Sequence, residues 1–359
     1  MFVAWRDLRF AKGRFALMAT VITLITLLVG LLSGLAAGLE RQNVSAITGL
    51  PADRIAFAAP AGDRAPAYAD SAVTAGQWWR WSGTPGVTRA EPLGITTTRA
   101  ASGGSTTAVS AFGVRPGSPL APGAVGEGTA VLSATAARDL GAGPGDMFSL
   151  AGTDLVVAAV RGDAHFSHVP VVWVGLTAWR RAAPPTSGGE RPFATVIALR
   201  TSSGTDVDAA DLAAGTSTVA KDDSLRAIGS YSSENGSLGL MRIFLFVISA
   251  LVVGAFFSVW TIQRGGDIAI LKALGASTGR LLADALGQAS VLLAGGVLAG
   301  TGLALAAGTL VAGAVPFVLS PATVLAPAAV TVGLGLLGAA LSVRRITSVD
   351  PLIALGNAR

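Results

Sequence analysis

Cysteine is absent from the 359-residue chain, which excludes a disulfide framework, a thiolate metal site and a cysteine nucleophile. Histidine occurs twice, as His165 and His168. Their i,i+3 spacing could seat a metal or haem on a helix, but they fall in a loop between strand candidates, with Asp163 as the nearby carboxylate. They are read as ordinary loop residues. Lysine stands only at positions 12, 221 and 272, followed by Gly, Asp and Ala. No G-x-x-x-x-G-K-[ST] loop can be built from these, so ATP-driven work would fall to a partner chain. Charge is also scarce. Charged residues make up 13% of the chain and hydrophobic ones 51%, against ~25% charged in ordinary soluble domains. Heptads sustained over several turns and internal repeats are missing, which excludes a long coiled-coil stalk.

The apolar excess is concentrated in four stretches, residues 15–39, 243–262, about 286–311 and 322–343, which hold almost no charge. Each meets the ~20 residues needed to cross a ~30 Å hydrocarbon core as a helix. The expected fold class is a membrane α-helical protein, four transmembrane helices with a large α+β extracytoplasmic domain inserted between helices 1 and 2. The boundaries read from the sequence are a cytoplasmic segment 1–14, the first span 15–39, the inserted domain 40–238 and the second span 239–262. A cytoplasmic loop 263–284, two further spans within 285–343 and a tail 344–359 complete the division. A cleaved signal peptide is the rival reading of the first span. Its 25-residue apolar run exceeds the roughly 7–15 of a signal h-region, so it is read as an uncleaved anchor.

The pI of 10.4 raises nucleic acid as a partner, but the charge map excludes it. Net charge is +3 before Glu40, −2 over residues 40–238 (15 basic, 17 acidic) and +4 from residue 239 onward (7 basic, 3 acidic). Basic excess at the membrane-flanking ends is the positive-inside pattern, not a phosphate-binding face. Both termini and the loop carrying Arg264, Lys272 and Arg280 are therefore expected in the cytoplasm, and the insert outside a cell membrane that the chain crosses several times.

Within the insert, apolar runs at 54–57, 95–99, 106–113, 155–160, 169–174 and 195–199 read as short strands. Residues 71–81, 133–140 and 207–220 read as helices. Gly30, Gly34 and Gly38 line one face of the outer half of the first span, a spacing that admits either another helix or a flat ligand close to the backbone. A G-x-S-x-G pattern surrounds Ser277, but it lacks the strand-to-helix setting of a nucleophile elbow. It reads as a helix-ending turn, and no catalytic residue is assigned.

The segment QRGGDIAILKALGASTGRLL (residues 263–282) resembles the cytoplasmic loop of the FtsX-like, MacB-type ABC transporter permeases, with its apolar helix and L-G-A-S turn. Asp267 stands where that family usually has glutamate, and Gly265 and Gly266 replace residues that are often basic. The opening WRDLRFAKGRFALM, the insert segment VLSATAARDLGAGPGDMFSLAGTDLVVAAV and the tail RRITSVDPLIALG resemble the same family. The resemblance implies a transport subunit rather than an enzyme, working as a homodimer embedded in lipid with two copies of a separate ABC ATPase. It also implies ATPase coupling through Arg264, Asp267, Leu271, Lys272 and Ala273. Residues 9–46 and 229–264 resemble the haem-exporting permeases of the HrtB type. That narrower likeness implies haem as transported substrate, with no permanently bound cofactor and ATP on the partner.

A haem needs an apolar slot, an axial ligand and basic groups for its propionates. The candidate substrate-binding residues are Glu40, Arg41, Tyr231, Glu234, Met241 and Arg242, which flank the outer ends of the first two spans. The iron would be held by Glu40, Met241 or Tyr231, and the propionates by Arg41 or Arg242. Gly34 and Gly38 with Phe244 or Phe246 would supply the slot. Two alternatives stay open: an FtsX-like protein that transmits motion outward to control a cell-wall hydrolase, and an exporter of amphipathic peptides or lipoproteins.

Overall fold

The structure is a computed structural model that describes residues 12–60, 62, 64–186, 189–263, 270, 274–275, 277–311 and 315–347. In chain order its elements begin with α1 (Lys12–Thr48), β1 (Arg54–Ala58), α2 (Ala75–Ser82), β2 (Val87–Ser102), β3 (Ser105–Val114), β4 (Thr129–Leu132) and α3 (Ala134–Leu140). There follow β5 (Met147–Leu150), β6 (Thr153–Val160), β7 (His165–Phe166), β8 (Val169–Gly175), α4 (Leu176–Ala182), β9 (Val196–Thr201), α5 (Val207–Ala214) and β10 (Thr216–Ala220). A 3-10 turn (Asp223–Ala227) leads into α6 (Gly229–Gln263), α7 (Thr278–Val311) and α8 (Pro321–Thr347). The chain divides into two units, residues 39–236 and the remainder.

The membrane unit contains the long helices. Among the described residues four are long and apolar enough to span a bilayer. With 37 residues, α1 is about 55 Å long at 1.5 Å per residue, well beyond a ~30 Å core. Small residues bring its neighbours close. A Cβ on Gly300 of α7 would lie 2.5 Å from the Thr23 carbonyl oxygen, and one on Gly296 2.6 Å from Ile22. Only a hydrogen atom fits there, so the α1 and α7 backbones pack almost in contact. Phe15, Met18, Ile22, Leu292, Leu293 and Val297 are buried in one cluster along that seam. Pro327 interrupts the N–H ladder of α8, and Thr331 turns its hydroxyl onto the Pro327 carbonyl at 2.9 Å.

The other unit is built on a ten-stranded sheet with order β10-β1-β9-β2-β3-β8-β4-β6-β5, with β7 paired to β8. Strand β2 is shared. Its first half pairs with β9 and its second half with β3. The pairs β3–β8 and β4–β6 are parallel, and β5 returns to pair with β2 at Ala100 and Ala101. This mixture of helix and parallel and antiparallel strand is the expected α+β class. Local chemistry explains the helices on it: Thr74 and Gln77 form a capping box on α2, Ser133 caps α3, and Asp206 caps α5. Gly141 and Gly215 close α3 and α5 in the left-handed conformation that glycine accepts without strain.

Two hydrophobic cores lie in this unit. In one, the indole of Trp179 on α4 rests on Gly94 and Gly113, where a Cβ would approach it to 2.2 and 2.4 Å. In the other, Val44, Ala46, Ile47 and Leu50 from the outer end of α1 are buried with Phe57, Tyr68, Phe112, Phe166 and Ile228. Burial pushes the Tyr68 phenol above its ordinary pKa, and it donates to Ser224 Oγ at 2.9 Å. The end of the first helix is thus part of the domain's own core.

Candidate functional site

Of the residues proposed for the substrate, Glu40, Arg41, Tyr231 and Glu234 lie in the domain unit, whereas Met241 and Arg242 belong to the membrane unit. Glu40 and Arg41 are exposed on the last three turns of α1. Tyr231, in the first turn of α6, lies near enough to the Glu40 carboxylate to interact with it electrostatically, and Asn235 Nδ2 donates to the Tyr231 hydroxyl at 3.3 Å. Glu40 and Tyr231, 191 positions apart in sequence, are therefore neighbours. A phenol beside an exposed carboxylate offers two oxygens of the kind that ligate ferric iron.

Glu234 is engaged differently. Both of its oxygens lie 2.9 Å from His168 Nε2, and Asn43 Nδ2 donates to one of them at 3.4 Å. Asn43 is only 1% exposed and accepts from Ser230 Oγ at 2.7 Å. Ser230 Oγ is in turn 2.8 Å from Ser167 Oγ. The chain of contacts runs between the end of α1, the β7–β8 hairpin and the start of α6. His165, by contrast, is buried and donates from Nδ1 to the Asp163 carbonyl at 3.1 Å. Among the described residues no group of three His, Asp or Glu side chains converges as a metal site would require. The role of His168 escaped the sequence, since a partner 66 positions away leaves no local spacing to recognise.

In the membrane unit, Met241 is 51% exposed and Phe244 56% exposed, on the same flank of α6 as Leu240, Ile243 and Val247. Arg242 is half-buried. The glycine face of α1 is not open to a flat ligand here. Gly34 lies against the ring of Phe317, where a Cβ would come within 2.3 Å of Cζ, and Gly38 lies against the Pro316 carbonyl. The Val318 N–H donates to the Gly34 carbonyl at 3.1 Å. Gly30 faces Ala304 of α7. The close approach that the spacing implied is real, but the chain's own outer turn between α7 and α8 occupies it.

The five coupling candidates Arg264, Asp267, Leu271, Lys272 and Ala273 lie outside the described residues. Ser277 is described, and its Oγ accepts from the Arg280 N–H at 3.4 Å at the start of α7. Leu274 and Gly275, where the G-x-S-x-G pattern begins, form a turn with Gly275 at φ 90°, as a helix-ending turn would have it. Ser277 then stands at the start of the next helix, where its side-chain oxygen satisfies an unpaired N–H.

An inserted α+β domain between the first two of four apolar helices defines a class of membrane permease. The MacB-like periplasmic core domain matches residues 15–214, and the FtsX-like permease C-terminal region matches residues 239–351. The chain belongs to this FtsX-like, MacB-type permease family. A Staphylococcus haemolyticus protein named as a hemin transport system permease protein, HrtB, is 41% identical over 129 residues, 36% of this chain and 37% of that protein. Its Staphylococcus epidermidis namesake is 33% identical over 142 residues, 40% of this chain and 41% of that protein. The match thus spans about two fifths or less of these relatives. An uncharacterized ABC transporter permease of Mycobacterium bovis is 26% identical over 364 residues, 99% of both chains. Among solved structures, the extracellular domain of YknZ aligns with 47% of this chain and 99% of its own at 14% identity and TM-score 0.35. The periplasmic region of MacB from Actinobacillus actinomycetemcomitans aligns with 52% and 97% at 11% identity and TM-score 0.37.

Proposed function

We propose that the chain is the membrane subunit of an ATP-driven exporter that expels haem, acting as a homodimer with two copies of a separate ABC ATPase and with both termini in the cytoplasm. The observation that carries the substrate reading is the proximity of Glu40 and Tyr231, a carboxylate and a phenol near each other at the outer ends of α1 and α6. Such a pair suits a ferric iron, and Arg41, the next residue, offers a charge-assisted hydrogen bond to a propionate. In the membrane unit by itself, Met241 and Phe244 are exposed with their aliphatic neighbours as an apolar wall on α6. The Gly34–Gly38 slot is filled by Phe317 and Pro316.

Supporting the dimer is the exposure of the second span, of whose most apolar window only 11% is buried within the chain, against 39% for the third. A second copy would cover part of that face. Coupling would run through the loop containing Leu271 and Ala273. Co-expression with the cognate ATPase should give a stable complex that protects haem-sensitive cells from haemin. A complex that assembles and hydrolyses ATP without protecting them would overturn the substrate reading.

The rival reading, outward transmission of motion to a cell-wall hydrolase, draws on the burial of the end of α1 in the domain core. An ATPase gene beside a haem-responsive regulator favours export, and one beside a peptidoglycan hydrolase favours transmission. Export of amphipathic peptides or lipoproteins would use the same apolar wall, and competition of such a peptide with haemin would reveal it.

A further inference from the structure

The two-residue tip of the β7–β8 hairpin, Ser167 and His168, carries positive φ at both positions, 52° and 65°. Hairpin turns of this geometry favour Asn-Gly, since most Cβ-bearing residues are strained there. Such strain persists only where the surroundings over-determine the conformation. Here both backbone donors of the tip are bound to α1: the Ser167 N–H donates to the Asn43 carbonyl at 2.9 Å and the His168 N–H to the Gln42 carbonyl at 3.0 Å. Both side chains reach α6 instead, Ser167 through Ser230 and His168 through Glu234. Strand β7 is tied to α1 as well, because the His165 N–H donates to Ser45 Oγ at 2.9 Å. The tip therefore holds one helix by its backbone and the other by its side chains.

We propose that Ser167 and His168 are positioning residues that clip the outer ends of α1 and α6 at a fixed spacing. Glu40 lies one helical turn from Asn43, and Tyr231 one turn from Glu234, so the clip keeps the carboxylate and the phenol paired. In this arrangement Glu234 is an anchor for His168 and not a ligand for substrate. The domain and both helix ends then move as one lever. The consequence for substrate rests on the exporter reading; the clip itself does not.

Because the chain has no native cysteine, the clip can be tested in the full-length permease with its ATPase in membranes. Mild oxidation of Ser167→Cys/Ser230→Cys should join the pair, and ATP hydrolysis should stay within about twofold of the reduced protein. Failure to cross-link, or hydrolysis abolished by oxidation and restored by reductant, overturns the fixed clip. In a second arm, spin labels at Thr48→Cys and Ser232→Cys report the spacing of the two helix ends. His168→Gly keeps a backbone conformation that glycine accepts but removes the imidazole. It should widen the distance distribution about twofold with no fall in melting temperature, and His168→Asn, which tolerates positive φ and can donate to Glu234, should restore it. An unchanged distribution in His168→Gly overturns the role of His168. Neither arm uses haem, so a wild-type protein that exports none would refute the exporter reading while leaving these results to decide the clip.

Discussion

Replacing Gly34 by alanine puts the packing of the first span to a quantitative test. The added Cβ would lie 2.3 Å from Phe317 Cζ and 2.7 Å from Cε1 and Cε2, so the ring must retreat by roughly 1 Å to reach ordinary carbon–carbon separation of about 3.5 Å. Overpacking of this kind costs about 1–3 kcal/mol. The retreat also stretches the Val318 N–H bond to the Gly34 carbonyl, a loss of about 0.5–1.5 kcal/mol. Alanine returns about 0.8–1.0 kcal/mol of helix propensity. The net expectation is a destabilisation of about 1–3 kcal/mol. Gly302→Ala is the control on α7, where a Cβ meets nothing within 4 Å, and it should be neutral or slightly stabilising. Thermal unfolding in detergent measures both. Adding Phe317→Ala to Gly34→Ala should cancel most of the clash and give a coupling of about 1–2 kcal/mol. A Gly34→Ala protein as stable as the Gly302→Ala control would show that Phe317 does not rest on the glycine.

The remaining expectations are shorter. Thr26 is 4% exposed and its hydroxyl has no hydrogen-bond partner among the described residues, so the isosteric Thr26→Val should raise stability by about 1 kcal/mol in the same unfolding assay, and a loss would show that the hydroxyl is satisfied. Tyr68→Phe strands Ser224 Oγ without its donor and should lower the domain's stability by about 1 kcal/mol, read by urea unfolding. Leu271→Asp or Ala273→Asp should leave membrane insertion intact and uncouple export, because a charge would be forced into an apolar protein contact. Normal haem resistance in either variant would refute that docking assignment.

Much of the architecture was legible because it is written in local composition. Four uncharged runs of twenty or more residues are each long enough to cross a bilayer as a helix, and the alternating runs that became β1, β3, β6, β8 and β9 were visible for the same reason. The strands that escaped, β4, β5, β7 and β10, are two to five residues long, too short to show a period. β10 was absorbed into a helix reading of residues 207–220, although Gly215 ends that helix at φ 66°. α4 was missed because its apolar Leu176 and Trp179 directly follow a buried strand. The glycine spacing of the first span signalled close approach but not what approaches, and Phe317, 283 positions beyond Gly34, could not be inferred from it. Glu40 and Tyr231 were both named from their places at the helix ends, whereas the His168–Glu234 contact depends on a hairpin tip whose position only the folded sheet determines.

The central claim is tested most directly by titrating purified full-length permease with haemin and following the Soret band. Wild type should bind saturably. Glu40→Ala and Tyr231→Phe should each shift the band or weaken binding at least about tenfold, as expected when an iron ligand or its close neighbour is lost, and Met241→Ala distinguishes the softer ligand. Saturable binding that none of the three substitutions alters would place the iron elsewhere. No saturable binding by the wild type would contradict haem export and leave the permease family assignment standing.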